Sequence, residues 1–411
     1  MIILVVGVSA QFKPSTVDNF TIDDNTTLWD VMSKLGKIKL NVVDVNRALN
    51  NVDKGKELVH TGQSSDFEGK RVPKLGQFTC ISCHTIEKEF DKMQVSDPDK
   101  RLQYADSLQL AFLPGTPFYG LVNRIYYFTN DFQKDSIAST FKYKDIIKKS
   151  HTDLRTAIQF CNYTYAHGRA MADWEIESIL AYLWTLQIKM KDLQVEAKDM
   201  EDIQFALNNN TGNAKAVNLL RRYYLETYPA HLDKPLHSAE RRRTSPILNN
   251  FFNGEKVYER SCLHCHQNKA FANRSLDKDK SSFQYLKKHF DDSTSAHSVY
   301  EVHRFSVKPI RALKKSKAPH FTRERMSNQQ LQDLRFYITQ MLQFGDEARE
   351  YYRPKTSRNT PIIDSTVLDS INNNASTIEE ANKALDVSNV EDTIIHTSID
   401  TTATLDTKEQ E

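Results

Sequence analysis

Two short stretches concentrate the residues able to do chemistry. Phe78 to Thr85 reads FTCISCHT and Arg260 to Gln267 reads RSCLHCHQ, so Cys80-x-x-Cys83-His84 recurs as Cys262-x-x-Cys265-His266. The chain has five cysteines, and these two pentapeptides use four of them. A disulfide, a zinc site and covalent haem attachment all use close cysteine pairs. Zinc wants two pairs converging on one metal, whereas these pairs lie far apart in sequence and each carries its own histidine. A thioredoxin-like dithiol needs no histidine at the next position and is not expected twice. C-x-x-C-H is the attachment signature of c-type haem: two thioethers hold the porphyrin edge and the histidine supplies the proximal iron ligand. The pattern points to two covalently bound haem c groups, one on Cys80 and Cys83 with His84 on the iron, the other on Cys262 and Cys265 with His266 on the iron.

Helices must position these motifs. GEKVYERSCLHCH, Gly254 to His266, reads as a helix running straight into the second attachment site. Apolar spacing from Thr27 to Lys56 is helical, broken at Gly36 and Gly55. Leu113 to Phe132, with its prolines and glycines, reads as structured loop around an aromatic wall for the first haem. Asp173 opens an amphipathic helix with Ile176, Ile179, Leu180, Leu183 and Leu186 near one face. A second such helix runs from Ser327 to Gly345. Both closing helices resemble the last helix of class I cytochrome c domains, which crosses the first helix and covers a haem edge. The expected fold is mainly α: two class I cytochrome c-like haem domains, 11–190 and 246–350, joined by a helical connector, 191–245. Residues 351–411 are rich in Ser, Thr, Asn, Asp and Glu and read as a disordered acidic tail.

The fifth cysteine bears on the distal side of the first iron. The segment Ala157 to Ser178, AIQFCNYTYAHGRAMADWEIES, offers Cys161, His167 and Met171 as donors. A small electron carrier normally places Met there and so saturates the iron. The run CNYTYAHGRAM followed by EIESILAYL resembles the haem-one region of tetrathionate-forming thiosulfate dehydrogenases and, more loosely, the dihaem subunit of the Sox sulfur-oxidation system. That resemblance implies Cys161 as a thiolate ligand opposite His84, with catalytic roles for Cys161 and for Arg169, which would hold an anion such as thiosulfate against the sulfur. A coordinated thiol is deprotonated outright. The bland alternative is an inert buried cysteine.

In the second half, KSKAPHFTRERMSNQQL places Ala318 before Pro319, where cytochromes of this general type often carry methionine. Lys315, Lys317, His320, His297 and His303 then remain as distal donors, and an open iron is the further option. A nearby Lys or His is preferred, because a vacant iron is reactive. Met326 is expected to pack.

Arg124 suits a haem carboxylate. His60, His151, His231 and His237 are expected at the surface.

Charges nearly cancel, with 55 Lys and Arg against 53 Asp and Glu, so the chain makes no case for nucleic-acid binding. The apolar start MIILVVGVSAQF has a small-residue cleavage pattern at Val8-Ser9-Ala10. Residues 1–10 read as a truncated signal peptide whose start codon lies upstream, or else as an apolar strand. Covalent haem attachment happens outside the cytoplasm, so a periplasmic location is expected. The function expected is an exported dihaem cytochrome c that oxidises a sulfur oxyanion at the first haem and passes electrons through the second to an external acceptor. A non-catalytic dihaem electron-transfer protein of a respiratory chain is the alternative, and a dihaem peroxidase the third.

Overall fold

Polar side chains that accept the first free backbone N–H groups set the helix starts. The computed structural model describes residues 20–44, 51–127, 144–229, 249–267, 271–272, 274–291 and 320–353. Helix α1 (Leu28–Lys34) begins with a reciprocal Thr27–Asp30 capping box. Asn51 starts α2 (Val52–Thr61), and Asp97, followed by Pro98, starts α3 (Pro98–Ser107). After α4 (Lys144–Ser150), Asp153 starts α5 (Leu154–Thr164). Next come α6 (Asp173–Thr185), α7 (Ala197–Asn209) and α8 (Asn213–Leu220). Asn250 starts α9 (Phe251–Val257), which continues through a π-helical turn, Tyr258–Cys262, into α10 (Leu263–His266). Then follow α11 (Lys280–Asp291), α12 (Asn328–Phe344), with a Ser327–Gln330 capping box, and α13 (Glu347–Tyr352). The described residues are mainly helical, with isolated bridges and no strand.

Two helix crossings repeat one design. Gly55 lies inside α2 and does not break it, contrary to the sequence expectation; Gly36, at φ +86°, does follow the end of α1. A Cβ on Gly55 would sit 1.9 Å from the Ser178 carbonyl oxygen and 3.0 Å from Tyr182 Cβ on α6. A Cβ on Gly254 would sit 2.0 Å from the Asp333 carbonyl oxygen and 2.8 Å from Tyr337 Cβ on α12. The helix-cap asparagines complete the match. Asn51 donates its N–H to Ser178 Oγ at 3.3 Å, and Asn250 donates to Asp333 Oδ1 at 2.9 Å. Asn, then Gly four residues on, meeting a partner helix at two positions four apart, therefore occurs once in each half. Only glycine lets the two backbones approach this closely.

The apolar cores follow the crossings but not the order of the chain. The first gathers Leu58, Val59, Ile179, Leu180 and Leu183 from α2 and α6. It also takes Ile203, Ala206, Val217 and Leu220 from α7 and α8, so these connector helices pack into the first core. The second core holds Phe251, Val257, Tyr258, Leu334, Tyr337 and Ile338, and with them Leu102, Ala105 and Phe112. Thus α3, which follows the first Cys-x-x-Cys-His in sequence, buries its apolar face with the second half. Both cores belong to one compact unit, Met1–Tyr352. The sequence-based tail lies outside the described residues from 354 onward.

Overpacking a tight crossing costs roughly 1–3 kcal/mol, whereas an unconstrained helix gains up to about 1 kcal/mol when Gly becomes Ala. Gly254→Ala and Gly55→Ala should therefore lower the denaturant midpoint of unfolding. A midpoint that stays or rises in either variant would contradict the backbone contact at that crossing.

Candidate functional site

The first Cys-x-x-Cys-His forms a tight turn. Thr79 and Ser82 cap it through side-chain hydrogen bonds of 3.0–3.2 Å, and His84 N donates to the Cys80 carbonyl at 3.0 Å. A loop, Leu113 to Phe118, then wraps the histidine. Gly115 N donates to the Cys83 carbonyl at 2.7 Å, and Phe118 N to the Thr85 carbonyl at 2.8 Å. His84 Nδ1 lies 2.7 Å from the Thr116 carbonyl, which only accepts, so Nδ1 carries the proton and Nε2 keeps its lone pair. The imidazole stacks on Phe118 with ring centres 4.7 Å apart. A Cβ on Gly115 would lie 2.5 Å from His84 Nδ1, so a larger residue there would displace the ring. Burial pushes the His84 pKa down to about 4, against the Thr116 hydrogen bond, and keeps the ring neutral.

Of the three distal candidates, Cys161 faces this lone pair. Its Sγ lies 4.0 Å from His84 Nε2, presented by α5, whose Leu154, Ala157 and Phe160 are buried. One nitrogen and one sulfur donor on opposite sides of a first-row metal span about 4.3 Å, from bonds of about 2.0 and 2.3 Å. The observed separation of 4.0 Å is close to that span. Met171 instead packs in the first core, and His167 is exposed with φ +50°. Burial pushes the Cys161 thiol up to about 12, and none of the five cysteines is joined in a disulfide.

Arg169 is committed elsewhere. It pairs with buried Glu175 at 2.5 and 2.8 Å and donates to the carbonyls of Pro73 and Ala170. These bonds staple the loop ahead of α6. Arg124 is 3% exposed, and its guanidinium lies over the Tyr228 ring at 4.0 Å. His151, expected at the surface, is buried and stacks on Tyr126 at 4.4 Å, while half-buried His60 meets the Tyr182 hydroxyl at 3.1 Å.

The second motif is helical where the first is a turn, but it anchors its histidine in the same way. His266 Nδ1 donates to the Arg274 carbonyl at 2.8 Å, and Ala272 N to the Cys265 carbonyl at 2.9 Å. Metal-binding histidines characteristically anchor the other ring nitrogen in this way. Met326 packs in the second core as expected, and His320 is buried. Lys315, Lys317, Ala318, His297 and His303 lie outside the described residues.

The two motifs also meet, which their sequence separation conceals. His264 Nε2 donates to the Ile81 carbonyl at 3.2 Å, and Cys265 Sγ approaches the Ser82 carbonyl at 3.7 Å. Among the described residues, no three His, Cys, Asp or Glu side chains form a metal cage. A haem iron needs only two protein donors, one on each side of its ring.

A buried ion cluster locks the halves together beside the first motif. Glu89 takes a two-pronged bond from Arg325 at 2.5 and 2.7 Å, and one from Arg101 at 3.1 Å. The three side chains are 5%, 3% and 1% exposed. Burial raises the Glu89 pKa, but Arg325 and Arg101 outweigh it and hold the carboxyl below its ordinary value of 4.5.

Compared with known proteins, the chain matches no family model, no curated protein and no solved structure.

A carboxyl depressed in the folded state contributes stability above its unfolded pKa and loses it as pH falls through the folded value. Removing one partner of a buried pair costs about 3–5 kcal/mol. Glu89→Gln should therefore weaken the protein by about that much at pH 7, with the gap to wild type closing as pH drops below about 4. Urea melts across pH 3–7 measure this. A gap independent of pH would show that the carboxylate charge is not what holds the cluster.

Proposed function

We propose that the chain is an exported dihaem cytochrome c, periplasmic in location, whose first haem is held by Cys80, Cys83, His84 and Cys161. The second is held by Cys262, Cys265 and His266. The observation that carries this reading is the His84–Cys161 pair: a neutral imidazole, anchored at Nδ1, aims its free nitrogen at a half-buried thiol 4.0 Å away. When bound, haem would supply one-electron chemistry at iron; at the first site His84 and Cys161 would be the residues that hold the iron and tune it. A thiolate opposite histidine lowers the potential relative to methionine. Phe118 and Gly115 keep the imidazole in one orientation. The guanidinium of Arg124, buried over the Tyr228 ring and without a hydrogen-bond or ion-pair partner among the described residues, suits a haem carboxylate.

For the reaction, the resemblance around Cys161 favours oxidation of a sulfur oxyanion. Joining two thiosulfate ions through a new S–S bond releases two electrons, which must leave to an external acceptor; two haem groups held by this chain would supply the one-electron capacity for that. The contact between the two motifs supports passage from one haem to the other. A non-catalytic electron carrier is the second reading. It is favoured by Arg169, whose guanidinium is occupied by Glu175 and two backbone carbonyls and so is not offered to a substrate anion.

Low-temperature EPR of the exported holoprotein and of Cys161→Ala tests the ligand. A low-spin thiolate signal present in the wild type and lost in the variant is expected, with thiosulfate-dependent reduction of an artificial acceptor lost alongside it. Identical spectra would make Cys161 a packing residue. A thiolate signal without thiosulfate turnover would select the carrier.

A further inference from the structure

We infer that Arg325 is a positioning residue through which the distal segment of the second haem site controls the proximal histidine of the first. The inference rests on the dihaem reading. Arg325 lies between buried His320, one of the distal candidates for the second haem, and the Ser327 cap of α12. Its guanidinium leaves that segment and grips the first site. Nε donates to the Pro114 carbonyl at 3.2 Å, and Nη2 donates to the carbonyls of Leu113, at 2.9 Å, and Gly115. These are the three residues immediately before Thr116, whose carbonyl takes the His84 Nδ1 proton.

Gly115 leaves no room for a Cβ beside the imidazole, so the loop runs close along the ring. The other side of the histidine is held by the same cation. Arg325 binds Glu89 through both oxygens, and Glu89 accepts the hydroxyl of Thr85, the residue next to His84. Arg101 fixes Arg325 in turn by donating to its backbone carbonyl.

The physical consequence lies in the strength of one hydrogen bond. A well-held carbonyl on Nδ1–H makes the imidazole a more basic donor, and second-shell hydrogen bonding is one of the levers that set a haem potential. Loosening the 113–115 loop weakens that bond and raises the potential of the first haem. A displacement of segment 320–327 would thereby reach His84 across the boundary between the two cores.

The test uses the full-length exported holoprotein with Arg325→Lys and Arg325→Met. Lysine keeps a cation beside Glu89 but cannot span three carbonyls, and it serves if the methionine variant does not fold. The readouts are the midpoint potential of each haem by spectroelectrochemical titration and the g-values of the His/Cys signal by EPR. An upward shift of the first haem, larger than any shift of the second, is expected in both variants. Asp106→Asn is the control, because Asp106 joins the halves through Arg260 and Lys256 without touching the 113–116 loop; it should leave the first haem unshifted. The inference is overturned if folded Arg325 variants keep wild-type potential and g-values, if both haems shift equally, or if Asp106→Asn shifts the first haem as much. A wild-type protein without covalent haem, seen in its pyridine haemochrome spectrum, overturns the dihaem reading itself and this inference with it.

Discussion

Glu89, Arg101 and Arg325 must stay together, and the arrangement of the two halves depends on it. Each is at least 95% buried, so none can turn to water if a partner leaves. A charge in that position is tolerable only when paired and hydrogen-bonded. Glu89 follows the first Cys-x-x-Cys-His, Arg101 lies on α3, and Arg325 precedes α12. Satisfying the three at once brings α3 against the second core and lays the Leu113–Gly115 carbonyls under the Arg325 fork. The loop that orients His84 is thus built by residues from both halves. Outside the cluster, Asp106 with Lys256 and Arg260, and the Phe112 N–H to the Arg260 carbonyl, extend the same seam.

Within each half, a different constraint works. The Asn51–Gly55 and Asn250–Gly254 pairs let two backbones come into contact, and the tyrosines four residues beyond Ser178 and Asp333 close over them. Such a crossing fixes the angle and offset between the opening and closing helices. In the second half the attachment cysteines follow directly on the crossing helix, through α9 and the π-helical turn. In the first half an intervening loop, Gly62 to Thr79, separates α2 from Cys80. The repeat therefore lies in the helix crossings and in the histidine anchoring, while the connections between them differ.

Much of this was legible in the sequence, for identifiable reasons. The two Cys-x-x-Cys-His motifs declare themselves by spacing, and both closing helices by periodicity. Cys161 stood out as the cysteine left over, and its side chain does face His84. Gly55 was misread because glycine usually ends a helical pattern; only a partner backbone at contact distance explains one inside α2. The packing of α3 with the second half could not be read, because Glu89, Arg101 and Arg325 look like ordinary surface charges until burial makes them partners. Arg169 was read as a free cation near the sulfur, yet Glu175, six positions on, is not a helical neighbour and its claim on Arg169 appears only in the folded loop. The contact of His264 with Ile81 had no sequence signal at all.

The proposed function requires two haems bound covalently to one chain. The most direct measurement is denaturing intact-mass analysis of the protein exported through a haem-maturation pathway, followed by peptide mapping. The predicted result is a mass raised by two haem groups, located on the peptides containing Cys80 with Cys83 and Cys262 with Cys265, and none on Cys161. An unmodified mass, or four cysteines joined as disulfides or recovered with zinc, would contradict it.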